Sequence, residues 1–312
     1  MPKIAFIFNP RAGKLVRDPG LAERTAAALR NYGPVTSCPT TGPGTAQQLA
    51  ATHVAEGAEW VVALGGDGTL NEVVNGMAGS AAALVPLPGG TANVLCVETK
   101  VGTDPVRAAA ELGERRPVRI ALGLLRNEAT ARYFLSMAGA GFDATVVHGV
   151  NKRVKDRLGK MAYWLSAFRA FGKPLIQFES DVDGVVAQHS FVLASRVRNY
   201  GGDLAIARRI TLLDDCMEAV SFQGRNSLRY MPYLIGVIVG RADLFPGVKM
   251  RAAQRLAYTT GSGDFVPVHV DGELAGFLPA TIEMVPNALT LLLPQVYLER
   301  AERERWITSP TH

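Results

Sequence analysis

The sequence predicts an α/β domain on a mainly parallel sheet over residues 1–117 and an antiparallel, sandwich-like β domain over residues 118–294. Three observations carry this reading. Strand-like and helix-like apolar patterns alternate along the first 115 residues, the order that builds parallel sheets with helices on both faces. The alternation stops near Pro117, and strand-like runs then dominate. Glycine-rich turns follow three of the early strands, at the carboxyl ends where such sheets bind ligands.

Each element has a local signature. Ile4–Phe8 is a short apolar run closed by Asn9, Pro10 and Gly13. Leu21–Leu29 is alanine-rich with helical spacing, and Thr45–Ala55 is a second helix. Trp60–Leu64 is a buried strand ending in Gly65-Gly66, Leu70–Met77 a helix, and Leu84–Leu87 a strand before Pro88-Gly89-Gly90-Thr91. In the second domain, strands are expected at Val118–Leu124, Tyr133–Ala138, Leu175–Phe178, Phe191–Val197, Met217–Phe222, Phe265–Val270 and Leu289–Leu293. Helices are expected at Val147–Phe171 and Leu228–Val239. The charged tail Val296–Trp306 is helical in pattern, and residues 295–312 either stand in solvent or pack back on the first domain.

Composition narrows the class. With 48% apolar residues, the 312-residue chain has material for two cores. Its three cysteines, Cys38, Cys96 and Cys216, form no CxxC pair, which excludes a zinc ribbon, a dithiol motif and a disulfide scaffold. His53, His148, His189, His269 and His312 show no metal-ligand spacing. The opening apolar run is too short for a signal peptide, and the longest later one, Tyr233–Gly240, is far below the roughly 20 residues of a membrane span. A soluble, cytoplasmic protein is expected, with peripheral membrane contact at most.

The net charge of +5 has a location. Segment 151–173, NKRVKDRLGKMAYWLSAFRAFGK, holds seven basic residues and one acidic residue, so the rest of the chain is nearly neutral. Leu158, Met161, Tyr163, Leu165, Phe168 and Phe171 interleave at roughly helical spacing. Such a segment suits an anionic bilayer surface, although a packed amphipathic helix with a solvated basic face has the same pattern. It directs the expected anionic partner toward membrane and away from nucleic acid.

The turns carry the chemistry. In Gly65-Gly66-Asp67-Gly68-Thr69, missing side chains let backbone N–H groups approach an anion at the start of a helix. Asp67 suits Mg²⁺ coordination or proton abstraction from a hydroxyl, and Thr69 can donate to phosphate. Asn9-Pro10-Arg11-Ala12-Gly13-Lys14 offers Asn9 and Gly13 to shape a pocket and Arg11 or Lys14 as charge. Thr91 stands at a helix start, as a cap or a phosphate contact. Each turn alone would serve an ordinary strand–helix connection. Neither the Walker pattern nor GxGxxG is present, which disfavours a P-loop NTPase and an NAD-dependent dehydrogenase.

GGDGTLNEVVNGM at 65–77, with NPRAGK and PGGTAN, resembles the diacylglycerol kinase catalytic-domain family, which includes bacterial lipid kinases, sphingosine kinases and ceramide kinases. GGDGT alone is shared with NAD kinases and, loosely, phosphofructokinases; Asn71-Glu72-Val73-Val74-Asn75-Gly76 points to the lipid kinases. The likeness continues through Gly139–Ala144, Tyr200-Gly201-Gly202 and Val270-Asp271-Gly272-Glu273. It implies a Rossmann-like, phosphofructokinase/NAD kinase-like first domain and ATP-dependent phosphorylation of a lipid hydroxyl, with a diacylglycerol-like or sphingoid acceptor. It implies ATP contacts at Thr40 (or Thr41), Gly65, Gly66, Asp67, Gly68, Thr69, Leu70, Asn71 and Thr91, and Asn9 joins them as a pocket residue of the first turn. It implies Glu273 as general base and Asp67 in the Mg²⁺ network, and Asp143 either on the lipid head group or as a helix cap. It further implies a structural Mg²⁺ held by Asp215 with the carbonyls of Leu212 and Met217. Cys216 and Val94 depart from the family, where glycine and aspartate are usual. An NAD kinase-like phosphotransferase, or a nucleotide-binding regulatory protein without catalysis, is the alternative.

Overall fold

The computed structural model describes residues 1–141, 175–201, 204–207, 209–224, 233, 236, 244–245, 247–261 and 264–308. The chain divides into two compact units, Met1–Leu122 with Pro286–His312, and Gly123–Val285.

In the first unit, β1 (Ile4–Phe8), β2 (Val35–Pro39), β3 (Trp60–Gly65) and β4 (Ala83–Pro88) form a parallel sheet in the order β2-β1-β3-β4. Thr290 and Leu291 of the chain's last strand join it beside β4, also parallel. β3 is buried along nearly all its length and β4 throughout, as a sheet covered on both faces requires. The helices are α1 (Gly13–Arg17), α2 (Leu21–Leu29), α3 (Thr45–Ala55), α4 (Asp67–Met77), α5 (Val94–Glu98), α6 (Pro105–Ala110) and the terminal α7 (Gln295–Thr308). One apolar cluster joins Ile4, Phe6, Val62, Leu64 and Val85 of the sheet to Leu21, Ala26 and Leu29 of α2. Helices α2 and α3 have the expected bounds, whereas α4 starts at Asp67 instead of Leu70. Strand β2 was not expected: in Val-Thr-Ser-Cys-Pro only Cys38 is buried, so this edge strand has no apolar alternation to read. The tail is docked. Tyr297 and Ala301 of α7 are fully buried, and Arg300 pairs with buried Glu98 at 2.6 Å.

The second unit begins inside β5 (Arg115–Asn127). It continues with β6 (Ala131–Phe134), β7 (Met137–Gly141), β8 (Phe178–Val182), β9 (Val185–His189), β10 (Phe191–Ser195), β11 (Asn199–Gly201) and β12 (Leu204–Ala205). Then come β13 (Met217–Phe222), β14 (Val248–Ala253), β15 (Arg255–Thr259), β16 (Pro267–Val270), β17 (Glu273–Phe277) and the first half of β18 (Ala280–Pro294). One sheet runs β14-β13-β10-β7-β16-β17, antiparallel throughout. The other layer runs β18-β15-β8-β9. Small Ala138, Ala140, Ala194 and Ala219 of the first sheet share one core with Phe178, Leu256, Tyr258 and Ile282 of the second. Phe178 and Tyr258 meet edge to face at 5.9 Å.

The expected strand Tyr133–Ala138 is two strands, β6 and β7, broken at Leu135-Ser136. Strands β9, β11, β12, β14, β15 and β17 were not expected. For the β8–β9 hairpin the signal was present: Asp183-Gly184 turns with φ of 47° and 85°, the left-handed pair of a tight hairpin. The expected helix Val147–Phe171, with the basic segment 151–173, lies outside the described residues, as does Leu228–Val239 apart from residues 233 and 236. Among the described residues no helix is long and apolar enough to cross a membrane.

His189 on β9 is buried, with Nδ1 2.8 Å from Ser180 Oγ, while Nε2 has no hydrogen-bond partner among the described residues. Protonation would add a second N–H in a dry site, so burial, aided by repulsion from Lys249, holds its pKa below the ordinary 6.5. The unfolded chain then binds the proton more readily. Stability is expected to fall as pH drops below about 6.5 and to level off beneath the depressed folded pKa. Urea midpoints between pH 8 and pH 5 should show this slope, and His189→Gln should flatten it; an equal slope in the variant would assign the effect elsewhere.

Candidate nucleotide and phosphoryl-transfer site

The parallel register of β3 and β4 puts Gly65 opposite Pro88, so the turns that follow lie side by side. They are pressed together through backbone. Gly89 N and Gly90 N both donate to Gly65 O, at 2.9 and 3.0 Å. A Cβ on Gly90 would sit 2.5 Å from Gly66 Cα, and one on Gly89 2.8 Å from Gly65 N. The first turn joins them: Lys14 N donates to Gly89 O at 3.2 Å, and Asn9 Nδ2 to Thr69 Oγ1 at 3.3 Å. Thr40 N donates to Phe8 O at 2.8 Å, which sets the β2 terminus beside β1. The three turns and the Thr40 segment thus form one cluster at the carboxyl edge of the sheet, around the N-terminus of α4.

Within it, Asp67 Oδ1 accepts from Val94 N at 2.7 Å, so the carboxylate faces the first amide of α5. The contact Val94 makes here is its backbone N–H, which does not depend on its side chain. Asn93 takes the left-handed conformation, φ 47°, and its side chain closes the turn onto Gly90 N and O at 2.8 and 2.9 Å. Thr91 is exposed on this turn. Lys14 Nζ is directed to Thr103 O, and burial lowers its pKa. Cys96, fully buried behind the cluster, has its thiol pushed up to about 12 by burial, with Asp67 adding to the shift. It is an inert core residue.

The Asn-Glu-Val-Val-Asn-Gly continuation has a structural reason. Glu72 receives Gly44 N at 2.8 Å and Ala46 N at 3.1 Å, capping α3 from α4. Gly76 lets α3 pack against α4, since a Cβ there would lie 2.2 Å from Gln47 O. Asn71 is 1% exposed and accepts from Asn75 Nδ2, so it acts inside the unit. Glu72 was missed as a positioning residue. Its only sequence signal was membership in the motif.

In the second unit, Val270 pairs with Glu273 across Asp271-Gly272, whose φ values are 47° and 79°. Glu273 is half-exposed, and its Oε2 lies 2.7 Å from Arg132 Nη2. Asp271 anchors the hairpin. Its carboxylate accepts from Leu135 N, Ser136 N and Met137 N at 3.1, 2.9 and 2.9 Å. Asp271 too was unassigned from sequence. Asp143 lies outside the described residues.

Leu212 and Met217 are buried, and Asp215 is exposed. Leu212 O already receives Arg196 Nη2 at 3.1 Å. Among the described residues no three His, Cys, Asp or Glu side chains gather to hold a metal. With a guanidinium already on one of its expected carbonyl ligands, a like charge to the ion, this loop does not fit the structural Mg²⁺. A magnesium ion carried by nucleotide asks less of the protein, one carboxylate with the phosphates supplying the rest, and Asp67 fits that donor set.

Comparison with known proteins decides the family. The diacylglycerol kinase catalytic domain matches residues 3–125, and the YegS C-terminal NAD kinase beta sandwich-like domain matches residues 136–293. The chain belongs to the diacylglycerol kinase catalytic-domain family. This family member is 24% identical over 313 residues to a diacylglycerol kinase of Bacillus subtilis (strain 168), covering 97% of this chain and 99% of that one. It is 27% identical over 257 residues to a diacylglycerol kinase of Mycobacterium tuberculosis (strain ATCC 25618 / H37Rv), covering 80% and 82%. The crystal structure of a diacylglycerol kinase from Bacillus anthracis str. Sterne shares the fold, with a TM-score of 0.74 at 20% identity over 95% of this chain and 98% of that one. The family makes the protein a lipid kinase, a phosphotransferase that uses ATP.

Three variants test the geometry of this kinase. Gly90→Ala should separate the two glycine turns, costing about 1–3 kcal/mol and weakening ATP binding roughly tenfold or more, read by titration calorimetry. Gly113→Ala, whose Cβ would meet only the Tyr32 ring at 3.6 Å, should leave binding unchanged. Asp271→Asn tolerates the left-handed backbone but turns an N–H donor toward backbone N–H groups. It should cost about 2 kcal/mol or more in urea unfolding; an unchanged midpoint would show that the three amides do not need the charge.

Proposed function

We propose that the chain transfers the γ-phosphate of ATP to the hydroxyl of a diacylglycerol-like or sphingoid lipid, with Asp67 in the Mg²⁺–phosphate network and Glu273 as general base. The observation that carries this is the glycine cluster: two glycine pairs in close backbone contact, with the helix N-terminus of α4 behind them and one oriented carboxylate. Gly65, Gly66, Gly68, Thr69 and Leu70 supply backbone at the start of α4, and the Thr69 hydroxyl is steadied by Asn9. Thr40 and Thr91 add hydroxyls on flanking turns, and Asn71 holds α4 from within. Phosphoryl transfer asks for positioning and charge stabilisation more than covalent help. When bound with ATP, Mg²⁺ neutralises phosphate charge, and Asp67 is the residue to hold it.

The acceptor hydroxyl is neutral and must lose a proton as the new P–O bond forms. Glu273 is the carboxylate for that step. Arg132 fixes one of its oxygens, and Asp271 holds the hairpin that carries it. In this reading the protein is cytoplasmic and meets anionic membrane peripherally, supported by the basic, aromatic composition of 151–173.

The test is transfer from labelled ATP with Mg²⁺ to vesicles containing diacylglycerol, monoacylglycerol, a sphingoid base or phosphatidylglycerol, with NAD as a soluble acceptor. Lipid phosphorylation is expected. Asp67→Asn and Glu273→Gln should each lower kcat by about 10²-fold or more with an unchanged melting temperature. Transfer to NAD and no lipid would sink the proposal. Transfer to nothing would favour a regulatory nucleotide-binding protein, and near-normal turnover in either variant would remove that residue's role.

A further inference from the structure

Directly after β10, Arg196 is the largest fully buried side chain among the described residues. A guanidinium carries five N–H donors and a permanent charge, and a dry interior must satisfy both. Arg196 directs both of its Nη atoms into the 211–217 loop. Nη1 donates to Asp214 O at 2.5 Å and to Cys216 O at 2.8 Å, and Nη2 to Leu212 O at 3.1 Å. The loop closes on itself around that point: Asp214 Oδ2 accepts from Thr211 N and Thr211 Oγ1, both at 2.8 Å. Three main-chain carbonyls thus converge on one buried positive charge. Gathering carbonyl oxygens in an irregular loop is what a hard cation does.

We propose that the Arg196 guanidinium is the built-in cation of this loop, standing in place of a structural metal ion, so that the protein folds and holds the 211–217 loop without divalent metal. Two further features agree. Asp215, the one side-chain ligand a metal would use, is exposed, and Cys216 is not among the residues with positive φ, so the loop has no need of glycine there. The magnesium requirement of the protein then belongs to nucleotide alone.

The experiment is thermal unfolding of the nucleotide-free protein in EDTA and in millimolar Mg²⁺ or Ca²⁺, with elemental analysis after gel filtration. The melting temperature is expected to agree within about 1 °C across the three, with far less than one equivalent of divalent metal retained. A fall of several degrees in EDTA, or one equivalent of retained metal, would overturn the proposal. Arg196→Met should melt about 10 °C lower or fail to fold, and a wild-type melting temperature in this variant would also overturn it. Asp215→Asn folds independently of that outcome and should melt with the wild type. A loss of several degrees that EDTA abolishes would identify Asp215 as a metal ligand and end the proposal.

Discussion

The carbonyl of Gly65 receives the amides of both Gly89 and Gly90, and this close approach is the constraint on which the first unit depends. Parallel pairing of β3 with β4 brings the turns together, but side chains on the second turn would hold them apart, since a Cβ on Gly89 or Gly90 meets the backbone of the first within 3 Å. Once they touch, the other parts follow. Asp67 reaches the first amide of α5, Asn93 closes its turn in a left-handed conformation, and Lys14 N links the first turn to Gly89. The result is a patch of closely packed backbone with little side-chain bulk at the start of α4, with a carboxylate whose direction is set before any ligand arrives.

The second unit solves a different problem with buried charge. The backbone around Leu135-Ser136 leaves β6 before β7 begins, so its polar groups have no ladder to satisfy them. Asp271 takes three amides from 135–137, while Arg196 N donates to Ser136 O at 2.8 Å. An anion and the residue bearing a buried cation thus bind the same peptide segment. Glu273 stands two residues beyond Asp271 on a hairpin fixed by these contacts. Removing either charge would leave several backbone groups without their partners, in a dry interior at Arg196 and a half-buried one at Asp271, which costs more than the loss of an ordinary contact.

Sequence legibility followed the range of the forces. Helices α2 and α3 and strand β1 could be read to the residue because apolar periodicity sets them locally. Strand β2 could not, since an edge strand with one buried side chain leaves no periodic trace. Strand β14 left a trace that went unread: Val248-Lys249-Met250-Arg251 alternates apolar and charged residues, although only Ala253 of the strand is buried. The β8–β9 hairpin was legible through Asp183-Gly184 and was overlooked. Asn71 to Gly76 was visible as a motif, but its work, capping and packing α3, required knowing that α3 lies against α4.

The amino-acid sequence by itself determined the two-part architecture, the glycine turns and the residue types able to handle phosphate. Periodicity and turn chemistry act over a few neighbouring residues, so they survive in one dimension. The tertiary structure decided the partners: Asp67 with an amide 27 residues away, Asp271 with amides up to 136 residues away, and Arg196 with the 212–216 carbonyls. No local pattern marks an arginine as buried. Only the packing of strands distant in sequence removes the water, and that desolvation makes the pairing obligatory.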